Sequence, residues 1–341
     1  MNLQENVSLK PYNTFRIEAT AKYFAAFSTT EQLIECISLP HKRTFLGGGS
    51  NILFKGNYDG LLLKNDIKGV ALLHEDDEYV YVKAGAGENW HQFVLYCIEH
   101  NWAGVENLSL IPGTVGASPI QNIGAYGVEL EDVFWSLEAI HLEDKKLVTF
   151  TTADCEFGYR NSVFKNKFRN QFVIVSVTFR LKKIPVFHTD YGSLNEELAS
   201  MGVKELSIKA ISDAVISIRS SKLPDPAVIG NAGSFFKNPE VEAEKYKQLK
   251  NLYPSMVGYE LTNGMVKLAA GWLVEHSGPN DSTSWKGFRR GDAGVHEKQA
   301  LVLVNYGNAS GQEILQLSEE IVESVRRKFL VELEREVNVV G

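Results

Sequence analysis

Two glycine-rich runs, one arginine and one serine stand out as residues able to do chemistry. The first run, Leu46-Gly-Gly-Gly-Ser-Asn51, is entered from the strand-like Thr44-Phe45-Leu46. Consecutive glycines let backbone N–H groups converge on an anion, because no Cβ blocks positive φ or close approach. The run fits neither G-x-G-x-x-G nor G-x-x-x-x-G-K-[ST], so neither a Rossmann dinucleotide site nor a P-loop is expected. A tight turn would need the same three glycines. The second run, Ile111-Pro-Gly-Thr-Val-Gly-Ala117 followed by Gln121-Asn-Ile-Gly-Ala-Tyr-Gly127, suits backbone packed against a flat or phosphorylated ligand. Ordinary loop punctuation has the same composition. With Gly85-Ala-Gly87 added, the glycine clusters favour a large cofactor.

Arg160, in Gly158-Tyr-Arg-Asn-Ser162, has a guanidinium that could grip a carboxylate or phosphate through two parallel bonds, or be a solvated surface group. In Gly230-Asn-Ala-Gly-Ser-Phe-Phe-Lys-Asn-Pro239, small residues before Ser234 would let a substrate reach its hydroxyl. Phe235 and Phe236 are expected to supply apolar walls, although a serine in a strand is commonly structural. There is no G-x-S-x-G elbow and no H-E-x-x-H, and the eight histidines lack metal-like pairing, so no metal site is expected.

The elements that must position these groups alternate short strands with few helices. Strands are expected at 44–46, 60–64, 78–83 and 171–181, with a hairpin formed by 137–142 and 146–150. Helices are expected at 30–39, at 88–100 opened by Glu88, and at 204–221, where Lys222-Leu-Pro-Asp-Pro226 stops regular structure. Beyond a domain boundary near 205–225, helices are expected at 240–252 and 266–276, then a buried strand at 300–304. Ile314, Leu317, Ile321, Val325 and Phe329 recur at spacings of three and four, the mark of an amphipathic helix, and a strand at 336–340 follows. Together these give a mixed α+β class rather than a regular βαβ series.

At 341 residues, two or three domains with real cores are expected. A formal charge of -7 without a basic tail argues against a general nucleic-acid partner, though not against small phosphorylated ligands. The three cysteines, Cys36, Cys97 and Cys155, form no disulfide framework, which suits a reducing compartment. The opening residues do not read as a signal peptide, and Phe172–Phe179 is too short to span a bilayer, so no membrane insertion and a cytoplasmic location are expected.

The ordered set of motifs carries a resemblance. Asn13-Thr-Phe15, the two glycine runs, Tyr159-Arg-Asn-Ser162, Lys222-Leu-Pro-Asp-Pro226, Gly230–Pro239, Lys267-Leu-Ala-Ala-Gly-Trp-Leu273 and Gly291-Asp-Ala-Gly294 appear in family order. Over residues from about 10 to 341 the chain resembles the UDP-N-acetylenolpyruvoylglucosamine reductases, also called UDP-N-acetylmuramate dehydrogenases, of type I. The resemblance implies an FAD-binding region of the vanillyl-alcohol-oxidase/PCMH type over about 15–185, in two subdomains (1–65 and 66–215), and a C-terminal α+β substrate-binding domain (216–341). It implies noncovalent FAD held by Gly47, Gly48, Gly49, Ser50, Asn51, Pro112, Gly113, Thr114, Gly116, Ala117 and Gly124. It also implies that a hydride is taken from NADPH and passed to the vinyl carbon of UDP-N-acetylglucosamine enolpyruvate, a step towards peptidoglycan; a monomer is expected.

Three residues match the family's catalytic positions: Arg160 for the carboxylate, Ser234 as proton donor, and Glu336 in Leu333-Glu-Arg-Glu-Val337. A glutamate beside an enolate helps when protonated or when it orients a donor. Tyr126, Tyr191, Lys222, Asn238, Tyr259 and Gln299 match substrate-binding positions, with Tyr191 resembling the tyrosine of a mobile loop over the diphosphate. Asn338 stands where the family often has Arg. Two other readings fit parts of the pattern: an FAD-dependent alcohol oxidase, and a flavin-free nucleotide-sugar hydrolase or binding module using Arg160, Lys222 and Ser234. Colour separates the last, since a flavoprotein is yellow.

Overall fold

The structure is a computed structural model that describes residues 2–280 and 282–341. The chain divides into two compact units, one holding the N-terminal residues through Val7, Lys22–Gly48 and Asp59–Ser221, the other Ser8–Ala21, Gly49–Tyr58 and Lys222–Gly341.

Two larger sheets build most of the first unit. A four-stranded sheet runs Gln4–Ser8, Thr20–Phe27, Tyr58–Asn65, Arg43–Leu46, the last two parallel. Helix Thr30–Ile37 packs Leu33, Cys36 and Ile37 against it, its first turn capped by the Thr29 side chain, which accepts from Gln32 N. A five-stranded antiparallel sheet follows in the order Leu147–Thr151, Phe134–His141, Phe172–Lys182, Tyr79–Gly85, Val70–Glu75. The hairpin expected at 137–150 sits within it, with Leu137 opposite Phe150. Val70–Glu75 is an exposed edge strand that shows no alternation, so only its pairing with Tyr79–Gly85 makes it a strand. Ile140, Val173 and Val175 meet Ala25, Phe27, Leu61 and Leu63 in one cluster that joins the two sheets.

Helix Trp90–Glu99 covers the larger sheet, burying Trp90, Phe93, Val94 and Cys97, with Phe93 and Phe179 at 4.6 Å between ring centroids. Its cap is Asn89, whose side chain accepts from Gln92 N, and not Glu88, whose carboxylate instead accepts from Gly69 N at 2.7 Å. The helix expected at 204–221 runs Ile208–Lys222 and packs Ile211, Ala214, Val215 and Ile218 onto Leu194 and Leu198.

In the second unit a sheet ordered Gly230–Ser234, Val302–Asn305, Ala293–Val295, Arg289–Arg290 packs against helix Gly311–Phe329. That helix opens with a reciprocal capping box, Ser310 with Glu313, and buries the five residues its periodicity predicts. The helices expected at 240–252 and 266–276 need correction. Glu240–Glu242 and Met265–Leu268 are strands, paired through Val241 and Val266 and joined by Gly258–Glu260, and helices occupy only Ala243–Leu252 and Ala270–Glu275. Short strands running straight into helices share one apolar run, which hides the change of period. Asn338–Val340 pairs in parallel with Ile52–Phe54, so the terminal strand is tied down.

No helix among the described residues is long and apolar enough to cross a membrane. Cys36, Cys97 and Cys155 are buried thiols. Burial pushes the Cys155 thiol up to about 12 and the Cys97 thiol well above the ordinary range. The thiolate is the reactive form, so all three are expected to resist alkylation at pH 8 in the native protein and to react in denaturant. Mass spectrometry after iodoacetamide labelling checks this, and rapid native labelling of any of them would contradict the packing.

Candidate active site

Gly47 and Gly48 of the first glycine run meet the second run within the first unit, while Gly49, Ser50 and Asn51 belong to the second unit. Gly48 lies against the second loop, where a Cβ would stand 3.0 Å from Gly113 Cα. Gly49 adopts φ +66°, and a Cβ there would collide with the Tyr12 carbonyl, so no other residue fits. Gly49→Ala is expected to destabilise the protein by about 2 kcal/mol or more, measured by denaturant melting. Among the described residues no protein acceptor takes the N–H groups of Gly47, Gly48, Gly49 or Ser50. Four consecutive donors on a loop without side chains at three positions make a cradle that suits the phosphates of FAD.

The second loop is built differently. Gly116 N and Ala117 N are bonded to Ala86 O at 2.9 Å and Thr114 O at 3.0 Å, so these residues shape the loop while Gly113 and Thr114 keep their donors. Gly85-Ala-Gly87 commits its three N–H groups to Gly69, Val175 and Ile67 carbonyls, which makes it a packing turn and not part of a cradle.

Arg160 stands in a strained corner of the same unit. Asn122, Tyr126 and Arg160 all have positive φ (42°, 50° and 52°) although none is glycine. Each such residue costs of order 1 kcal/mol and persists only where its surroundings over-determine it. The Arg160 guanidinium donates to Gly124 O at 2.6 Å and to Asn122 O at 3.4 Å. Asn122, fully buried, donates to Glu129 Oε2 at 2.8 Å and Glu131 Oε1 at 3.3 Å and accepts from Glu131 N. Burial pushes the Glu129 carboxyl up, and the charge of Arg160 opposes that rise. The buried amide of Asn107 donates both to Tyr126 O at 2.9 Å and to His188 O at 2.8 Å. It therefore ties the Tyr126 turn to the loop of Tyr191, whose side chain is 55% exposed and lies beside Gly127. Arg160, Gly124, Tyr126 and Tyr191 are thus gathered in one region.

Ser234 and Glu336 are gathered in the second unit. Asn231 Oδ1 accepts from Gly233 N at 3.0 Å and pins a bulge in strand Gly230–Ser234, after which the Ser234 side chain is exposed. Phe235 and Phe236 are buried, Phe235 edge-on to Phe15. Packed against each other and Phe15, they anchor the segment in the core and are not the apolar walls expected of them. Glu336 N donates to Phe235 O at 2.9 Å, which fixes the glutamate beside the serine's neighbour. Asn51 at the end of the first glycine loop donates to Glu336 O at 3.2 Å, and Asn338 N and Nδ2 both donate back to Asn51 O. Asn338 therefore braces the loop.

Asn238 accepts from Ala270 N at 2.9 Å through Oδ1, which leaves its amide nitrogen as the available donor. Gln299 Oε1 lies 3.5 Å from where a Gly271 Cβ would be, close to the same helix start. Tyr259, 47% exposed, is on the edge strand opposite Lys267, and Lys222 is the exposed last residue of its helix. Asn238 and Gln299 are brought together; Tyr259 lies one strand away from them.

The sequence reading missed Arg219. It lies one helical turn before Lys222, and that spacing of two cations on one helix was the available signal. Its Nε is buried without a hydrogen-bond partner.

Relatives give the arrangement its context. Residues 225–340 match the family described as UDP-N-acetylenolpyruvoylglucosamine reductase, C-terminal domain, and residues 21–151 match an FAD binding domain. A UDP-N-acetylenolpyruvoylglucosamine reductase of Amoebophilus asiaticus is 50% identical over the whole of both chains, and one of Flavobacterium johnsoniae 49% identical, also over the whole of both. The crystal structure of the reductase from Thermus caldophilus, 21% identical, shares the fold with a TM-score of 0.66 over the full length of each chain. Half the residues being shared end to end with proteins of one description, the chain belongs to the UDP-N-acetylenolpyruvoylglucosamine reductase family.

Proposed function

We propose that this oxidoreductase reduces UDP-N-acetylglucosamine enolpyruvate to UDP-N-acetylmuramate, a precursor of peptidoglycan, using noncovalent FAD and NADPH. The observation that carries this reading is that the Glu336 backbone is bonded both to Phe235, the neighbour of Ser234, and to the side-chain amide of the glycine-loop residue Asn51. Bound FAD would accept a hydride from NADPH and give it to the vinyl CH2 of the substrate. Everything else falls to the chain. Gly47, Gly48, Gly49 and Ser50 would hold cofactor phosphate through their N–H groups, and Gly113 and Thr114 would close the second side. The four-stranded and five-stranded sheets are assigned to the two FAD subdomains, and the C-terminal region to the substrate.

Hydride addition leaves electron density on the carbon next to the carboxylate. Arg160 would hold that carboxylate and stabilise the enolate, its fork already aligned by Gly124 and Asn122 carbonyls. Ser234 would then give its hydroxyl proton to the carbon. A serine is a weak acid, but a carbanion is a stronger base than an alkoxide, so the transfer runs downhill. The Asn238 amide and Lys222 would supply donors to the resulting alkoxide. Glu336 would orient the donor, with Tyr191 closing over the diphosphate and Tyr126, Tyr259 and Gln299 lining the sugar nucleotide.

Changing Glu336 to Gln is expected to alter the pH profile of flavin reoxidation by substrate; identical profiles in stopped flow would remove Glu336 from the chemistry. NADPH is expected over NADH as donor, and the partners are these small anions, with no nucleic acid. A cytoplasmic location is the matching proposal, because both substrates are soluble nucleotides, and a monomer is proposed with it. Anaerobic bleaching of the yellow protein by NADPH, then recolouring by the enolpyruvyl sugar nucleotide, tests the whole reading.

A further inference from the structure

Arg219 is a charge without a counterion. Arginine stays protonated in proteins, so its guanidinium is a permanent cation with five donors. It is half-buried on helix Ile208–Lys222, whose apolar face packs with Tyr126; its Nε is buried without a partner, and among the described residues it forms neither an ion pair nor a hydrogen bond. The charged and titratable groups acting on it are Tyr126, which favours the cation, and Arg160, which opposes it. His91 also feels its charge, and is neutral in the sense that its Nδ1 accepts from Leu110 N at 3.0 Å. Among the described residues no carboxylate is among the groups acting on it.

Drawing an unpaired guanidinium partly out of water near a second one is unfavourable, and an anion joining the pair relieves both the desolvation and the repulsion. The same corner holds the strained residues Asn122, Tyr126 and Arg160, and strain of this kind collects at ligand-binding positions. Tyr126 and Arg160 are already assigned to the sugar nucleotide in the proposed function, and the present inference rests on that assignment. We propose that Arg219 is a second anion-binding guanidinium, acting with Arg160 on an oxyanion of the sugar nucleotide. The shared chemistry is a carboxylate or phosphate oxygen taking two charge-assisted bonds from a planar fork.

The test uses the holoenzyme and two ligands, UDP-N-acetylmuramate, which carries both carboxylate and diphosphate, and UDP-N-acetylglucosamine, which carries only the diphosphate. Binding is read from the perturbation of the flavin spectrum. Arg219→Met and Arg219→Gln are expected to weaken UDP-N-acetylmuramate by about ten- to a hundredfold, and Arg219→Lys by less, since it keeps the cation. Equal weakening of both ligands assigns the oxyanion to the diphosphate; weakening of UDP-N-acetylmuramate alone assigns it to the carboxylate. Either result supports the proposal.

Unchanged affinity for both ligands in the two neutral variants overturns it. So does equal loss in all three variants, lysine included, because that marks packing and not charge. Should the neutral variants lose flavin, the ligand-induced rise in Tm, which needs none, carries the same comparison against wild type. The wild-type control keeps the two readings apart: a reduced wild-type flavin that the enolpyruvyl substrate fails to reoxidise defeats the proposed function itself. Turnover by wild type with unaltered binding in the Arg219 variants defeats only this inference.

Discussion

Ser234→Ala is expected to be bleached by NADPH at the wild-type rate and to be reoxidised by the enolpyruvyl substrate about 10³-fold more slowly. The magnitude follows from losing a positioned general acid, typically worth about 10²–10⁴ in rate. The selectivity follows from the structure. Ser234 is exposed after a bulge held by Asn231, and its neighbour Phe235 carries the backbone bond to Glu336. Removing one exposed hydroxyl disturbs neither the buried Phe235 and Phe236 nor the glycine loops, so folding and cofactor retention are expected to survive. Stopped-flow absorbance separates the two half-reactions. Normal reoxidation in the variant would remove Ser234 as the proton source.

Arg160→Lys is the second large effect. Lysine keeps the charge but offers a point cation in place of a fork, and it cannot both answer the Gly124 and Asn122 carbonyls and grip a carboxylate. Loss of a charged hydrogen-bond pair of this kind costs about 1.5–3 kcal/mol per bond, so reoxidation by substrate is expected to fall about 10²-fold. Reduction by NADPH is expected to change far less, since no carboxylate is being held. The backbone at position 160 sits at φ +52°, a strain the lysine inherits, so thermal stability should hardly move. Equal losses in both half-reactions would contradict a role at the carboxylate.

What the sequence made legible was local. The periodicity of Ile314 to Phe329 predicts its helix, alternation predicts the strand at 78–83, a charged turn predicts the hairpin of 137–142 with 146–150, and clustered glycines predict two loops. Elements that exist through their partners stayed hidden. Val70–Glu75 is a strand because of Tyr79–Gly85, and Met265–Leu268 because Glu240–Glu242 and Gly258–Glu260 flank it. Phe235 and Phe236 show how packing reverses a reading: residue type indicates an apolar wall, and contact with Phe15 and each other places the rings in the core. The joining of Asn51 to Glu336 and of Glu336 to Phe235 is written in long-range backbone pairing, which no local pattern encodes. Arg219 was missed for a similar reason, since burial without a partner is a property of the fold.

The central claim is that one flavin site serves two different substrates in turn. An anaerobic titration addresses it most directly, with NADPH added until the absorbance near 450 nm disappears and the enolpyruvyl sugar nucleotide added afterwards. The account predicts full bleaching, then full recolouring at one equivalent of substrate with formation of UDP-N-acetylmuramate, and no recolouring by a simple alcohol. A protein that purifies colourless and takes up no FAD, or a reduced flavin that the enolpyruvyl substrate leaves bleached, would contradict it.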